Sequence, residues 1–204
     1  MTDTAQERIA FLRGLRATRN FRPDPVPDTV VNDILNVARW SGSASNVQPW
    51  EFLVIRDREM LRKLTEICPN LRHAANVPLG IVLVMTGDPD KVGHETYDEG
   101  RLSERIMLAA EAHGLGSCIG WFRPETMSAA KKALGIPENR LVRTEISIGY
   151  PDEAAQRARQ KPAQARKPLA EIVHEERYRS WSGNLTPSPL SFRGRKERGS
   201  KRAS

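Results

Sequence analysis

Ser43-Ala44-Ser45-Asn46-Val47-Gln48-Pro49-Trp50-Glu51-Phe52 is a small, polar, amide-bearing loop that runs into the apolar stretch Phe52-Leu53-Val54-Ile55. Ahead of it, Val30, Val31, Ile34, Leu35 and Ala38 recur at helical spacing, so the local reading is helix, loop, strand. An amide such as Asn46 or Gln48 offers both a donor and an acceptor. That chemistry suits a polyol or the polar edge of a planar ring. Taken alone, the same residues also make an adequate helix-to-strand turn.

Working outward, Thr4 and Glu7 have capping-box spacing ahead of Ile9, Leu12 and Leu15, which predicts a first helix ending near Arg16. Pro23, Pro25 and Pro27 enforce an extended connector, and Asp28 is placed to cap the second helix. Strands are expected over Glu51–Arg56, Leu79–Met85, the segment leading to Trp121, and Arg143–Tyr150. Helices are expected over Arg58–Ile67, Asp98–His113 and from Pro124 onward. Helices and strands interleave without a repeat, which describes one α/β or α+β domain. A domain boundary near residue 180 leaves 181–204 as a basic, Ser/Gly-containing tail expected to be disordered.

Composition narrows the class. The chain has 204 residues, 39% hydrophobic and 28% charged, ordinary for a soluble protein with one substantial core. Its longest apolar run is too short to span a bilayer, and the N-terminus has no signal-peptide pattern, so a cytoplasmic protein is expected. Cys68 and Cys118 are read as reduced thiols rather than a disulfide. The net charge of +7 suggests nucleic acid until its distribution is read. Leu190–Ser204 holds +5 of it, so the body of the chain is close to balanced and no specific nucleic-acid partner is expected.

Few side chains suggest catalysis. No Ser-His-Asp arrangement, zinc spacing or P-loop lysine is visible, and Gly114-Leu115-Gly116 lacks the rest of a dinucleotide fingerprint. His73, His94, His113 and His174 are scattered and are read as surface or capping residues, with no metal site. Cys118 reads as a small buried thiol in a strand. Core packing is expected for Trp40 and Trp50, whereas Trp121 could equally line a pocket. Asp98, Arg101, Glu104 and Arg105 form helical ion-pair spacings, with Glu104 and Arg105 near the apolar stripe. Arg16 and Arg19 stand where a helix gives way to extended chain. They are either solvated arginines or a bidentate anion site.

Four spaced motifs resemble those of the nitroreductase family of FMN-dependent oxidoreductases. They are Arg16-Ala17-Thr18-Arg19-Asn20-Phe21 with Pro25-Val26-Pro27, then Ser43 to Trp50, then Gly114-Leu115-Gly116-Ser117-Cys118, and lastly Arg166-Lys167-Pro168-Leu169. The resemblance implies a single nitroreductase-like α+β domain over residues 1–180, with a mixed β-sheet flanked by helices, in an intertwined homodimer. It further implies FMN sites at the dimer interface. By that likeness Arg16 and Arg166 or Lys167 hold the phosphate, with Thr18 in the same motif. Arg19 approaches the flavin pyrimidine edge. Ser43, Asn46 and Gln48 reach the cofactor from the partner subunit, and backbone groups near Gly120 and Trp121 face flavin N5 and O4.

The implied activity passes hydride from NADH or NADPH through the flavin to nitroaromatic, quinone or activated-alkene acceptors by a ping-pong mechanism, with no obligatory catalytic side chain. Leu15 and Ala17 depart from the family pattern, where arginine and serine are common. The thinner phosphate shell keeps an alternative open: a flavin-binding storage or redox-sensing protein without efficient turnover.

Overall fold

The apolar run Leu79–Met85 is buried at every residue, because helices cover both faces of the sheet in which it lies. The computed structural model describes residues 4–158 and 166–178. The chain divides into two compact units, residues 1–159 and residues 160–204. In the first, the order is α1 (Ala5–Gly14), α2 (Asp28–Ala38), β1 (Trp50–Ile55), α3 (Arg58–Ile67), β2 (Leu79–Met85), α4 (Val92–Ala112), β3 (Gly116–Trp121), α5 (Pro124–Leu134), β4 (Leu141–Gly149) and α6 (Glu153–Ala158). Two 3-10 segments, Ala44–Asn46 and Pro69–Asn76, complete it. The second unit contains α7 (Leu169–Ile172), whose residues are exposed. The expected basic tail over 181–204 lies outside the described residues.

The sheet has the order β1-β2-β4-β3, and every strand pair is antiparallel. Among the described residues, the parallel component of the expected mixed sheet is confined to one bridge, Ala17 beside Ser117. On one face, Ile81, Leu83, Ile146 and Ile148 pack with Ile34 of α2 and Leu102 and Ile106 of α4. On the other, Val82, Val84 and Val142 pack with Leu61 and Leu64 of α3, Leu71, and Ala130 of α5. Each fully buried aliphatic side chain of this kind contributes about 1.5–3 kcal/mol. A bulge opposite Leu83/Val84 leaves Arg143 out of the register. It reaches α4, where it pairs with Glu99 at 2.5 Å and donates to Thr96 Oγ1 at 2.7 Å.

Several local expectations change. The capping box forms as expected, with Thr4 Oγ1 accepting from the Glu7 N–H at 3.2 Å. However, α1 buries none of its residues, and Ile9 and Leu12 are exposed rather than core. Asp28 is the first helical residue of α2; Pro27 occupies the cap, and Asp28 pairs with Arg56 instead. Trp40 is 73% exposed, so core packing is wrong for it. Helix α4 starts six residues before the expected Asp98, and its buried charges are Glu95, Asp98 and Glu99. Glu104 and Arg105 face solvent. Cys68 and Cys118 are both buried, and no disulfide joins them.

Candidate active site

The connector after α1 is pinned along the edge of the sheet. Thr18 N donates to Ser117 O at 2.8 Å, Arg22 N to Tyr150 O at 2.8 Å, and Asp152 N to Asn20 O at 3.0 Å. Thr18 is buried, and its Oγ1 accepts from Gln156 Nε2 at 3.1 Å while packing on Gly116. Thr18 therefore secures the connector. The same anchoring holds Arg19, Asn20 and Phe21 against a cleft of about 470 Å³, within the usual range for a small-molecule site.

The opposite wall comes from the 3-10 segment Pro69–Asn76. Asn70, Arg72, His73 and Asn76 line the cleft, with Asp152 and Ala155 closing it. Sequence reading passed over this wall. Its spacing follows neither the helical nor the strand period, and the only available signal was the density of amide and basic groups between Asn70 and Asn76. Among the described residues, Arg19 and Arg72 have no ion-pair partner, so both leave positive charge for a ligand.

His73 corrects the view of all four histidines as surface or capping groups. Its side chain is only 7% exposed, and its Nε2 lies 3.9 Å from Glu145 Oε2. Burial, with Arg19 and Arg72 adding to it, lowers the His73 pKa to about 4. Glu145 is fully buried on β4, and burial raises its carboxyl to about 8 despite the Ser147 hydroxyl, which donates at 2.9 Å and 3.1 Å. Gly120 stands directly opposite Glu145 in the β3–β4 register. A Cβ there would meet Leu71 Cδ2 at 2.0 Å, Glu145 Oε2 at 3.1 Å and His73 Cε1 at 3.3 Å. Gly120 thus makes room for this buried group. Trp121 is 57% exposed, and its carbonyl accepts from Cys68 Sγ at 3.2 Å.

Arg16, Ser43, Asn46 and Gln48 are not among the residues that line this cleft. Arg16 Nη1 donates to the carbonyls of Arg13, Gly14 and Leu15, closing the C-terminal end of α1. Ser43 Oγ accepts from Gln48 N at 2.9 Å, and Gln48 Nε2 donates to Asn46 O at 3.2 Å, so the loop is folded on itself. Ser45, Asn46 and Gln48 have φ of 49°, 55° and 52°, three non-glycine residues in the left-handed region. Helix α4 holds this strained loop: Asp98 Oδ2 accepts from Ala44 N at 3.2 Å. None of Ser43, Asn46 or Gln48 lines the cleft at Arg19. Arg166 and Lys167 are exposed in the second unit, just before α7.

Comparison with known proteins fits this arrangement. The Nitroreductase family profile matches residues 12–86, which hold both Arg19 and the Ser43–Trp50 loop. An Archaeoglobus fulgidus protein, provisionally named an NADH dehydrogenase/NAD(P)H nitroreductase, is 34% identical over 152 residues, 72% of this chain and 87% of its own. The NADH dehydrogenase of Thermus thermophilus is 30% identical over 177 residues, 68% of this chain and 83% of its own. The solved FMN-dependent nitroreductase of Clostridium difficile R20291 superposes with a TM-score of 0.71 at 26% identity, covering 83% of this chain and 99% of that one. The chain belongs to the nitroreductase family.

Proposed function

We propose that the chain is an FMN-dependent oxidoreductase that takes hydride from NADH or NADPH and passes it to nitroaromatic, quinone or activated-alkene acceptors. The observation that carries this reading is the convergence of Arg19, Arg72, Asn70 and Asn76 on one cleft in a chain of this family. These residues fit the ring end of a flavin. Amides can both donate and accept along a pyrimidine edge, and two cations favour the negative charge that reduction places there. Bound FMN supplies the hydride chemistry that no side chain of the cleft offers. Arg19 and Arg72 would bind and orient it, Phe21 would give it an apolar contact, and the main chain at Gly120 and Trp121 would border it.

The phosphate end is thinner. Leu15 and Ala17 offer no charge, and Arg16 is committed to helix-end carbonyls. Arg166 and Lys167 are assigned this role. Ser43, Asn46 and Gln48 are assigned to the flavin of a partner subunit in a homodimer. Their absence from the lining of this cleft supports that assignment, as do Leu12 at 56%, Trp40 at 73% and Val47 at 56% exposure. Among the described residues no helix is long and apolar enough to cross a membrane.

Reconstitution with FMN should give a yellow dimer that oxidises NADH or NADPH with menadione or a nitroaromatic. Because donor and acceptor use one cleft in turn, reciprocal plots should be parallel, the mark of a ping-pong cycle. A yellow protein that turns over with neither nicotinamide would favour the storage or sensing alternative, and a protein that takes up no FMN would overturn both.

A further inference from the structure

Glu145 is a fully buried carboxylate whose one ionic neighbour among the described residues is a histidine. Its site is built for a carboxyl group. Gly120 on β3 and Gly80 on β2 flank it; a Cβ on Gly80 would lie 3.0 Å from Glu145 Oε1 and 2.9 Å from Leu61 Cδ2. Ser147 on the same strand donates to both oxygens. Above it, His73 Nε2 is buried with no hydrogen-bond partner and points at Glu145 Oε2, while the imidazole also lines the cleft. Leaving such a nitrogen unpaired is costly, and a movement of about 1 Å brings the two groups within bonding distance.

We propose that His73 is a ligand-contacting residue of the cleft and that Glu145 is its positioning residue, deciding which imidazole nitrogen carries the proton. Two arrangements satisfy the pair. With Glu145 protonated, its O–H donates to Nε2, the ring proton sits on Nδ1, and the cleft receives an N–H donor. With Glu145 ionised, Nε2–H donates to the carboxylate and Nδ1 turns a lone pair to the cleft. Going from the first to the second, the carboxyl proton moves to Nε2 and the Nδ1 proton leaves to water through the cleft. One proton is released and no other bond changes.

The groups facing the pair come from every neighbouring element. They are Arg19 on the connector, Arg72 beside His73, Asp152 across the cleft, Ser147 on β4, and the uncharged Leu61, Leu71, Gly80 and Gly120. Burial and the two arginines keep the imidazole neutral, and burial keeps the carboxyl protonated at pH 7. The donor form therefore prevails at neutral pH and selects a ligand that presents an oxygen or nitrogen acceptor. The identity of that ligand as FMN rests on the function proposed above; the tautomer does not.

The test is a nitrogen-15 NMR titration of histidine-labelled protein without flavin, with His73 assigned by its loss in His73→Gln. The wild type should carry the proton on Nδ1 at pH 6 and exchange it for Nε2 with a midpoint near pH 8. Glu145→Gln should remove that inversion. FMN affinity should fall about 2- to 10-fold from pH 6.5 to 9 in the wild type and stay flat in Glu145→Gln, the size of one hydrogen bond. If FMN binds while wild-type His73 keeps a single tautomer from pH 6 to 10, the proposal is overturned, even should the variant fail to fold. An intact inversion in a protein that binds no FMN would remove the flavin reading and leave the positioning role of Glu145 standing.

Discussion

Two regions of this chain carry candidate ligand groups, and they are finished to different degrees. The cleft between the connector and Pro69–Asn76 is backed by side chains that are fully buried, including Leu61, Leu71 and Glu145. The loop from Gly42 to Gln48 and helix α1 are more open: α1 buries nothing, and Trp40 and Val47 stand in solvent. Yet that loop is held in left-handed backbone at three non-glycine positions. Strain kept at an exposed surface points to function rather than stability. On the proposed reading, the chain completes one half of its site by itself and pre-shapes the other for a second copy.

Truncation should expose this difference most sharply. Leu61→Ala removes a side chain with no exposed surface from beneath Glu145 and should cost about 2–5 kcal/mol in urea unfolding. Leu12→Ala on α1 should change the stability of an isolated protomer by less than about 0.5 kcal/mol. Combined with Trp40→Ala, it should shift sedimentation from dimer toward monomer. Equal costs at the two sites would erase the contrast.

A pH series tests the buried pair next. The folded-state pKa of Glu145 is raised, so its contribution is full below pH 4.5 and is lost as pH climbs to about 8. The folded-state pKa of His73 is lowered, so its contribution is full above pH 6.5 and is lost as pH falls to about 4. Between pH 4.5 and 6.5 the two slopes oppose and nearly cancel. From pH 6.5 to 8 only Glu145 acts, and stability should fall by about 2 kcal/mol at the limiting slope of about 1.4 kcal/mol per unit. Glu145→Gln should flatten that decline in thermal melts across this window.

Ligand binding should discriminate between the two arginines of the first motif. Arg19→Ala should weaken FMN about 10- to 100-fold, as expected for a lost charged hydrogen bond, without unfolding the dimer. Arg16→Ala should act mainly on α1, because its guanidinium caps that helix. Fluorescence titration of both variants decides between them.

What was legible in the sequence follows the same division. Arg58–Ile67 and Leu79–Met85 have the expected ends, because strong periodicity or an unbroken apolar run left no competitor. The Ser43–Gln48 loop stood out through its composition. The Asn70–Asn76 wall did not, since a 3-10 segment carries no clean period and its role depends on Arg19, Asn20, Phe21, Asp152 and Ala155, which are remote in sequence. Arg16 stands in a motif that resembles a phosphate site, and its guanidinium donates to the carbonyls that end α1, a contact its spacing does not announce. Trp40 misled because a large apolar residue in one chain reads as core whether it packs inside the protomer or stands on its surface.

The finest comparison sets one glycine from each region against the other. At Gly120, a methyl group would meet Leu71 at 2.0 Å, and Leu71 is fully buried with no route outward. Gly120→Ala should therefore cost about 1–3 kcal/mol and distort the wall that holds His73. At Gly42, a methyl group would meet the Arg101 guanidinium at 2.2 Å, a contact just as close on paper. Arg101, however, is 52% exposed, and its nearest ionic partner, Asp98, lies 3.9 Å away. The long side chain can swing into water, so Gly42→Ala should cost less than about 0.5 kcal/mol in an isolated protomer. Any larger penalty that develops only at concentrations where the protein dimerises would mean that Arg101 is held in place by the second copy, which would put the unfinished half of the site at the interface.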